Sequence, residues 1–204
     1  MEHNDLEHKL NKKSKIELED KEFRILNSAL VLFVEKGYHA STLPEIAKHA
    51  NVAAGTIYLY FKNKEDLVNM VWRVNKLKLK DSLESAFDIN QSYEENFRSI
   101  YISYLNFAFK NSDAFSFLNL HYHYPYLTNQ NLKIDEEIES FLFRFIKQGQ
   151  KEGLVIDGAA PLILSLLDGG VVGIFRSVRK GLLKWNSKLA TDSINLAWNS
   201  ICKK

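Results

Sequence analysis

The chain has 204 residues, 46% hydrophobic and 25% charged, enough to bury one large core or a small module joined to a larger one. Its formal net charge of +2 singles out no partner, and a lone cysteine, Cys202, excludes an internal disulfide. The amino-terminal run lacks the apolar stretch of a secretory signal, and "AAPLILSLLDGGVVGIF" is interrupted at Asp168, Gly169 and Gly170, short of the roughly 20 residues of a membrane span. The expectation is a cytoplasmic protein with no membrane helix and no cofactor.

Residues 1–15 are polar and carry Lys9, Lys12, Lys13 and Lys15, which predicts a flexible tail. In "IELEDKEFRILNSALVLFVEKG", Ile25, Ala29 and Phe33 recur every four residues, the period of an amphipathic helix, and Gly37 stands where a left-handed cap would end it. Thr42 and Glu45 in "TLPE" have the spacing of a capping box, with Pro44 harmless in the first turn of a short second helix whose Ile46, Ala47 and Ala50 face inward. Asn51 suits a left-handed turn, Val52 returns the chain to the core, and a third short helix runs from about Ala53 to Phe61 with Ala54, Ile57 and Phe61 inward. Thr56, Tyr58, Leu59 and Tyr60 are left for its other faces. Asn63, followed by Glu65 and Asp66, caps a long fourth helix.

The rest of the chain also reads as helical, with breaks near Asn90, Pro125, Gly153 and "KGLLKWNSK". Ile134, Ile138, Phe141, Leu142, Phe145 and Ile146 form one apolar stripe, and Ile194, Ala197, Trp198 and Ile201 another. The reading is an all-α chain of about nine helices, divided into a tail at 1–15, a helix-turn-helix domain at 16–72 and a helical domain at 73–204. Between Lys36 and Lys64 four lysines (36, 48, 62 and 64) stand against one acid, Glu45, a local balance that fits a phosphate-facing surface.

Two short helices joined by a tight turn, behind a supporting helix, make a helix-turn-helix unit. The stretch "ILNSALVLFVEKGYHASTLPEIAKHANVAAGTIYLYFKNKEDL", Ile25 to Leu67, resembles the amino-terminal domain of the TetR family of transcriptional regulators. Phe33, Gly37, Thr42, Ile46, Ala47, Val52, Gly55, Thr56, Tyr58, Phe61, Lys64, Glu65 and Leu67 all fall in register. The resemblance implies that Thr42, Tyr58, Tyr60 and Lys64 touch the phosphates of double-stranded DNA, and that Ala54, Gly55, Thr56 and Leu59 lie near base edges. Asn51 and Ala53 depart from the Gly and Ser often found around the family's turn. Alanine removes a capping hydroxyl, so affinity leans more on Lys48, Lys62 and Lys64.

The resemblance further implies a homodimer on a palindromic operator, released by a small-molecule effector, with the last two helices pairing across a two-fold axis. Gly169 and Gly173, together with Ile194, Trp198 and Ile201, are the candidates for that interface, packing within one subunit being the competing explanation. Of 25 aromatic residues 15 lie between Phe87 and Phe145, more than a small core needs, so some can wall a pocket for an apolar or aromatic effector. Phe97, Tyr101, Tyr104, Phe107, Phe117, His121 and Tyr122 are the candidates, with simple helix core as the equal alternative. Asp168 either meets a polar group of the ligand or faces water, and water is preferred. His121 and His123 are two apart, so on a helix they diverge and hold no metal. The rival reading is an α-helical enzyme or ligand carrier without sequence-specific DNA binding. No nucleophile elbow, phosphate loop, paired metal ligands or CxxC supports it, and the protein is read as no enzyme.

Overall fold

The computed structural model describes residues 19–120 and 127–203. Among them are nine helices and no strand: α1 (Asp20–Lys36), α2 (Leu43–His49), α3 (Ala54–Tyr60), α4 (Lys64–Glu84), α5 (Tyr93–Lys110), α6 (Ser112–Leu120), α7 (Asn129–Lys151), α8 (Ala160–Arg179) and α9 (Ser187–Ile201). The fold is all-α, an amino-terminal helix-turn-helix domain followed by a helical domain. The helices gather into two compact units, one comprising the residues up to Asp81 together with Ser112–Ile134, the other Ser82–Asn111 with Asp135–Lys204. The tail expected over residues 1–15 lies outside the described residues.

In the first unit, Ile25, Ala29 and Phe33 of α1, Ile46 and Ala47 of α2 and Ile57 of α3 are all buried, with α1 packed on α2 and α2 on α3. α1 ends at Gly37, whose φ of 83° and ψ of 162° place it in a region that only glycine enters easily, rather than in the left-handed helical well expected there. The capping box at the start of α2 is half formed. Thr42 Oγ1 accepts from the Glu45 amide at 3.4 Å, but the Glu45 carboxylate pairs with Lys36 of α1 instead of reaching back. That ion pair lowers the Glu45 pKa. Asn51 adopts φ 54° in the turn, and the Val52 amide returns to the Ala47 carbonyl. Asn63 Oδ1 accepts from the Asp66 amide at 2.8 Å and caps α4.

The segment from α6 into the first turns of α7 completes this unit. Phe117 of α6 is fully buried and stacks on Phe33 at 6.0 Å between centroids. Asn131 is also buried, and its amide donates to both Asn69 O and Asn69 Oδ1 at 2.9 Å, while the Thr128 amide reaches the same Oδ1 at 3.0 Å.

In the second unit α5, α8 and α9 pack on one another. Ser92 and Glu95 form a complete capping box at the start of α5. Tyr93 stacks on Phe145 with centroids 4.4 Å apart. Gly149 is required beside that pair, since a Cβ there would lie 2.3 Å from Tyr93 Cζ. The chain end is tied down by the Ile156 amide to Ile201 O at 2.8 Å and the Lys203 amide to Leu154 O at 2.9 Å. α8 revises one expectation: its 20 residues run helically through Asp168, long and apolar enough by length and composition alone to cross a membrane.

Candidate nucleic-acid interface

α3 has one buried position on its own seven residues, Ile57, with Phe61 buried just beyond its end. Ala54, expected to face inward, is exposed together with Ala53 and Gly55, because the first turn of this short helix faces solvent. Ala53 makes no side-chain cap, as the missing hydroxyl requires. Tyr58 is 54% exposed and Leu59 82% exposed, while Thr56 and Tyr60 are half-buried. A side chain at Gly55 would meet nothing within 4 Å, and its φ is an ordinary one, so nothing in the chain itself demands glycine there.

The polar residues assigned to this surface differ in what their donors already hold. The Thr42 hydroxyl accepts from the Glu45 amide and keeps its own proton to give. Lys48 and Lys62 are exposed. The Tyr60 hydroxyl donates to Glu19 Oε2 at 2.8 Å, a bond that raises the tyrosine pKa, with lesser contributions from desolvation and from the charges of Glu19 and Glu22. The Lys64 ammonium donates to the carbonyls of Tyr38 at 2.8 Å, Ser41 at 2.9 Å and His39 at 3.4 Å. Glu19 escaped the sequence analysis, as did Arg24, whose guanidinium reaches the Ala50 and Asn51 carbonyls at the helix-turn-helix turn over 3.4 and 3.5 Å. No local pattern marks either contact.

The residues proposed for an effector separate. Phe97, Tyr101 and Phe107 are buried in the second unit, Phe97 stacking on Tyr101 at 5.7 Å and lying against Trp198 at 5.2 Å. Phe117 does not join them, for its ring belongs to the core of the first unit. His121 and Tyr122 lie outside the described residues. Asp168, expected to face water, is exposed and accepts the Tyr104 hydroxyl at 2.5 Å. Burial first, then the Asp168 charge, holds the Tyr104 pKa well above the ordinary tyrosine value and raises that of Tyr101 to about 12.

The interface candidates separate as well. Ile201 is 2% exposed and serves its own unit, and Ile194 and Trp198 are half-buried. Gly169 and Gly173 lie open, in one row with the exposed Leu162 and Leu166 of α8. Among the described residues no group of three or more His, Cys, Asp or Glu side chains could hold a metal ion.

Known proteins resemble this chain over both parts. It is 28% identical over 138 residues to an uncharacterized HTH-type transcriptional regulator of Bacillus subtilis (strain 168), covering 67% of this chain and 72% of that protein. It is 54% identical over 48 residues to the fatty acid metabolism regulator protein of the same organism, a match confined to 24% of this chain and 25% of the relative. In fold it is similar to a TetR family transcription regulator from Marinobacter aquaeolei VT8, with a TM-score of 0.82 at 18% identity over 91% of this chain and 97% of that one. The model of bacterial regulatory proteins of the tetR family matches residues 25–71, the helices that carry the exposed α3 surface, and the tetracyclin repressor-like carboxyl-terminal domain matches residues 73–203. Matched in this way across both its parts, the chain belongs to the TetR family of transcriptional regulators.

Proposed function

We propose that the protein is a ligand-responsive repressor that binds palindromic operator DNA as a homodimer and leaves it when a small apolar effector is bound. The observation that carries the DNA reading is the α3 surface, where an 82%-exposed leucine, an exposed tyrosine and an unoccupied glycine position share one short helix. Water is a poor partner for such a leucine, whereas a major groove offers thymine methyl groups. Thr42 and Tyr58 donate to phosphates with Lys48 and Lys62 beside them. Gly55 lets the backbone approach, and Ala54, the Thr56 methyl and Leu59 read thymine placement. Direct base readout relies mainly on Arg, Lys, Asn, Gln, Asp and Glu, none of which stands between Ala53 and Tyr60. Duplex shape therefore supplies much of the specificity.

The dimer reading is supported by Leu162, Leu166, Gly169 and Gly173, which leave an apolar, small-residue row on α8 uncovered, with Leu196 exposed on α9. A helix-interior glycine costs roughly 1 kcal/mol in propensity. A second copy approaching closely is what offsets it. The effector reading keeps Phe97, Tyr101, Tyr104, Phe107 and Asp168 as candidates. Release follows by linkage, because two recognition helices enter successive major grooves only at a spacing of about 34 Å. Selection of binding sites from a random duplex pool tests the DNA reading, and a palindrome is the expected product. Binding that shows no preference among duplexes refutes it. Uracil in place of thymine in the selected half-sites should weaken binding, and undiminished affinity would mean that other residues carry specificity.

A further inference from the structure

The end of α8, the connection after it and the start of α9 carry five cations, Arg176, Arg179, Lys180, Lys184 and Lys188, and no acid occurs between Gly169 and Thr191. That local excess is larger than the +2 of the whole chain. All five residues are exposed, and among the described residues only Lys188 has an ion-pair partner, Asp192 at 2.6 Å. Cations that end a helix complement its dipole, which accounts for Arg176, Arg179 and Lys180. Lys184 ends no helix, and Lys188 stands in the first turn of α9, where a cation is disfavoured. The connection itself is held in shape. The Leu182 amide donates to Ser177 O at 2.9 Å, the Trp185 ring stacks on Phe109 with centroids 3.9 Å apart, and Asn186 Oδ1 caps α9 by accepting the Leu189 amide at 2.8 Å. The cations are therefore displayed on a fixed backbone.

We propose that the connection between α8 and α9 is a second DNA-binding surface, which takes the phosphate backbone of a duplex and reads no sequence. Four exposed cations without ion pairs fit a polyanion, because each phosphate that they neutralise releases condensed counterions. Duplex DNA is the polyanion that a regulator of this kind already holds, so contact here is an intramolecular event at high effective concentration. It adds affinity and speeds association without adding discrimination. The proposal rests on the reading of the protein as a DNA-binding regulator, and it places these phosphate contacts in the domain matched over residues 73–203, outside the helix-turn-helix.

Salt dependence tests it. The full chain is titrated from low to moderate salt with a duplex of arbitrary sequence, which needs no operator, and then with the selected operator, at a temperature where circular dichroism shows each variant folded. The triple variant Arg179→Gln, Lys180→Gln, Lys184→Gln should flatten the slope of log affinity against log salt concentration by up to about 2.7, about 0.9 for each phosphate lost. It should lower affinity for both duplexes by the same factor, since phosphate contacts carry no sequence information. The charge-keeping triple Arg179→Lys, Lys180→Arg, Lys184→Arg should retain the wild-type slope. Arg144→Gln, Lys147→Gln, Lys151→Gln together remove as many exposed charges from α7 and should leave the slope near wild type. An unchanged slope in the first triple, or equal flattening in the α7 triple, overturns the proposal. Leu182 is 74% exposed and Leu183 41%, so two other occupants are tested beside DNA. A shift of the first triple from dimer to monomer in sedimentation velocity assigns the surface to a second copy. Loss of binding to vesicles of phosphatidylglycerol in phosphatidylcholine, with the DNA slope unchanged, assigns it to a lipid surface. Either result overturns the proposal. A flattened slope alongside a site selection that yields no palindrome upholds this surface and refutes the operator reading instead.

Discussion

The hydroxyl of Tyr60, the last residue of α3, donates to the carboxylate of Glu19, the residue immediately before α1, over 2.8 Å. Its proton is thus committed, and a negative charge stands beside the surface proposed to meet phosphates. Tyr58→Phe should weaken binding to all duplexes by about 1–3 kcal/mol, the cost of a hydrogen bond to a charged group. Tyr60→Phe should cost clearly less, and Glu19→Gln should strengthen binding, most at low salt. Fluorescence anisotropy titrations decide it. Equal losses for the two tyrosines would show that Tyr60 exchanges Glu19 for a phosphate in the complex.

Tyr101 is one of three tyrosines that should set an alkaline limit to stability. Burial, and then the charge of Asp168, raises its pKa from 10.0 to about 12, and Tyr93 and Tyr104 are raised in the same direction, chiefly by burial. Between those values the unfolded chain releases the Tyr101 proton while the folded one keeps it. The stabilisation is therefore complete below the unfolded value and is lost as pH rises through the folded one. The urea midpoint should fall across that window, and less steeply in Tyr101→Phe. A midpoint constant across the window in the wild-type protein contradicts this.

Phe117 should matter to the helix-turn-helix unit although it lies outside the residues matched to the amino-terminal family domain. Its fully buried ring stacks on Phe33, so Phe117→Ala leaves a cavity in the first unit and should destabilise it by about 3–5 kcal/mol. Chemical denaturation followed by a probe in α1 or α3 measures the effect. A loss below 1 kcal/mol, on the order of a surface change, would mean that the ring is not a core element.

Gly173 gives a clean test of the dimer. A Cβ there meets nothing in its own chain, so Gly173→Leu should leave the fold of each subunit intact while blocking close approach of a second α8. Sedimentation velocity should show the equilibrium moved toward monomer at matched concentration. An unchanged dimer with an unchanged helical spectrum assigns the interface elsewhere.

The local part of this protein is written in its sequence. Four-residue recurrence at Ile25, Ala29 and Phe33, the tolerance of Asn51 for φ 54° and the Asn63 cap of α4 depend on residues within a turn or two of one another, where geometry follows from the backbone alone. The family register from Ile25 to Leu67 is legible for the same reason. What each side chain finally touches depended on partners far along the chain. Lys64 meets carbonyls 23 to 26 residues away, Tyr60 an acid 41 residues away, and Asn131 an amide 62 residues away. Even Glu45, in a recognisable capping motif, was diverted to Lys36 of another helix. The stripe of Ile194, Trp198 and Ile201 shows the limit most plainly: periodicity establishes that one face of a helix is apolar, but Ile201 is taken up by its own unit while the open row lies on α8. Which neighbour covers an apolar face depends on the packing of whole helices, and only the tertiary structure decides that.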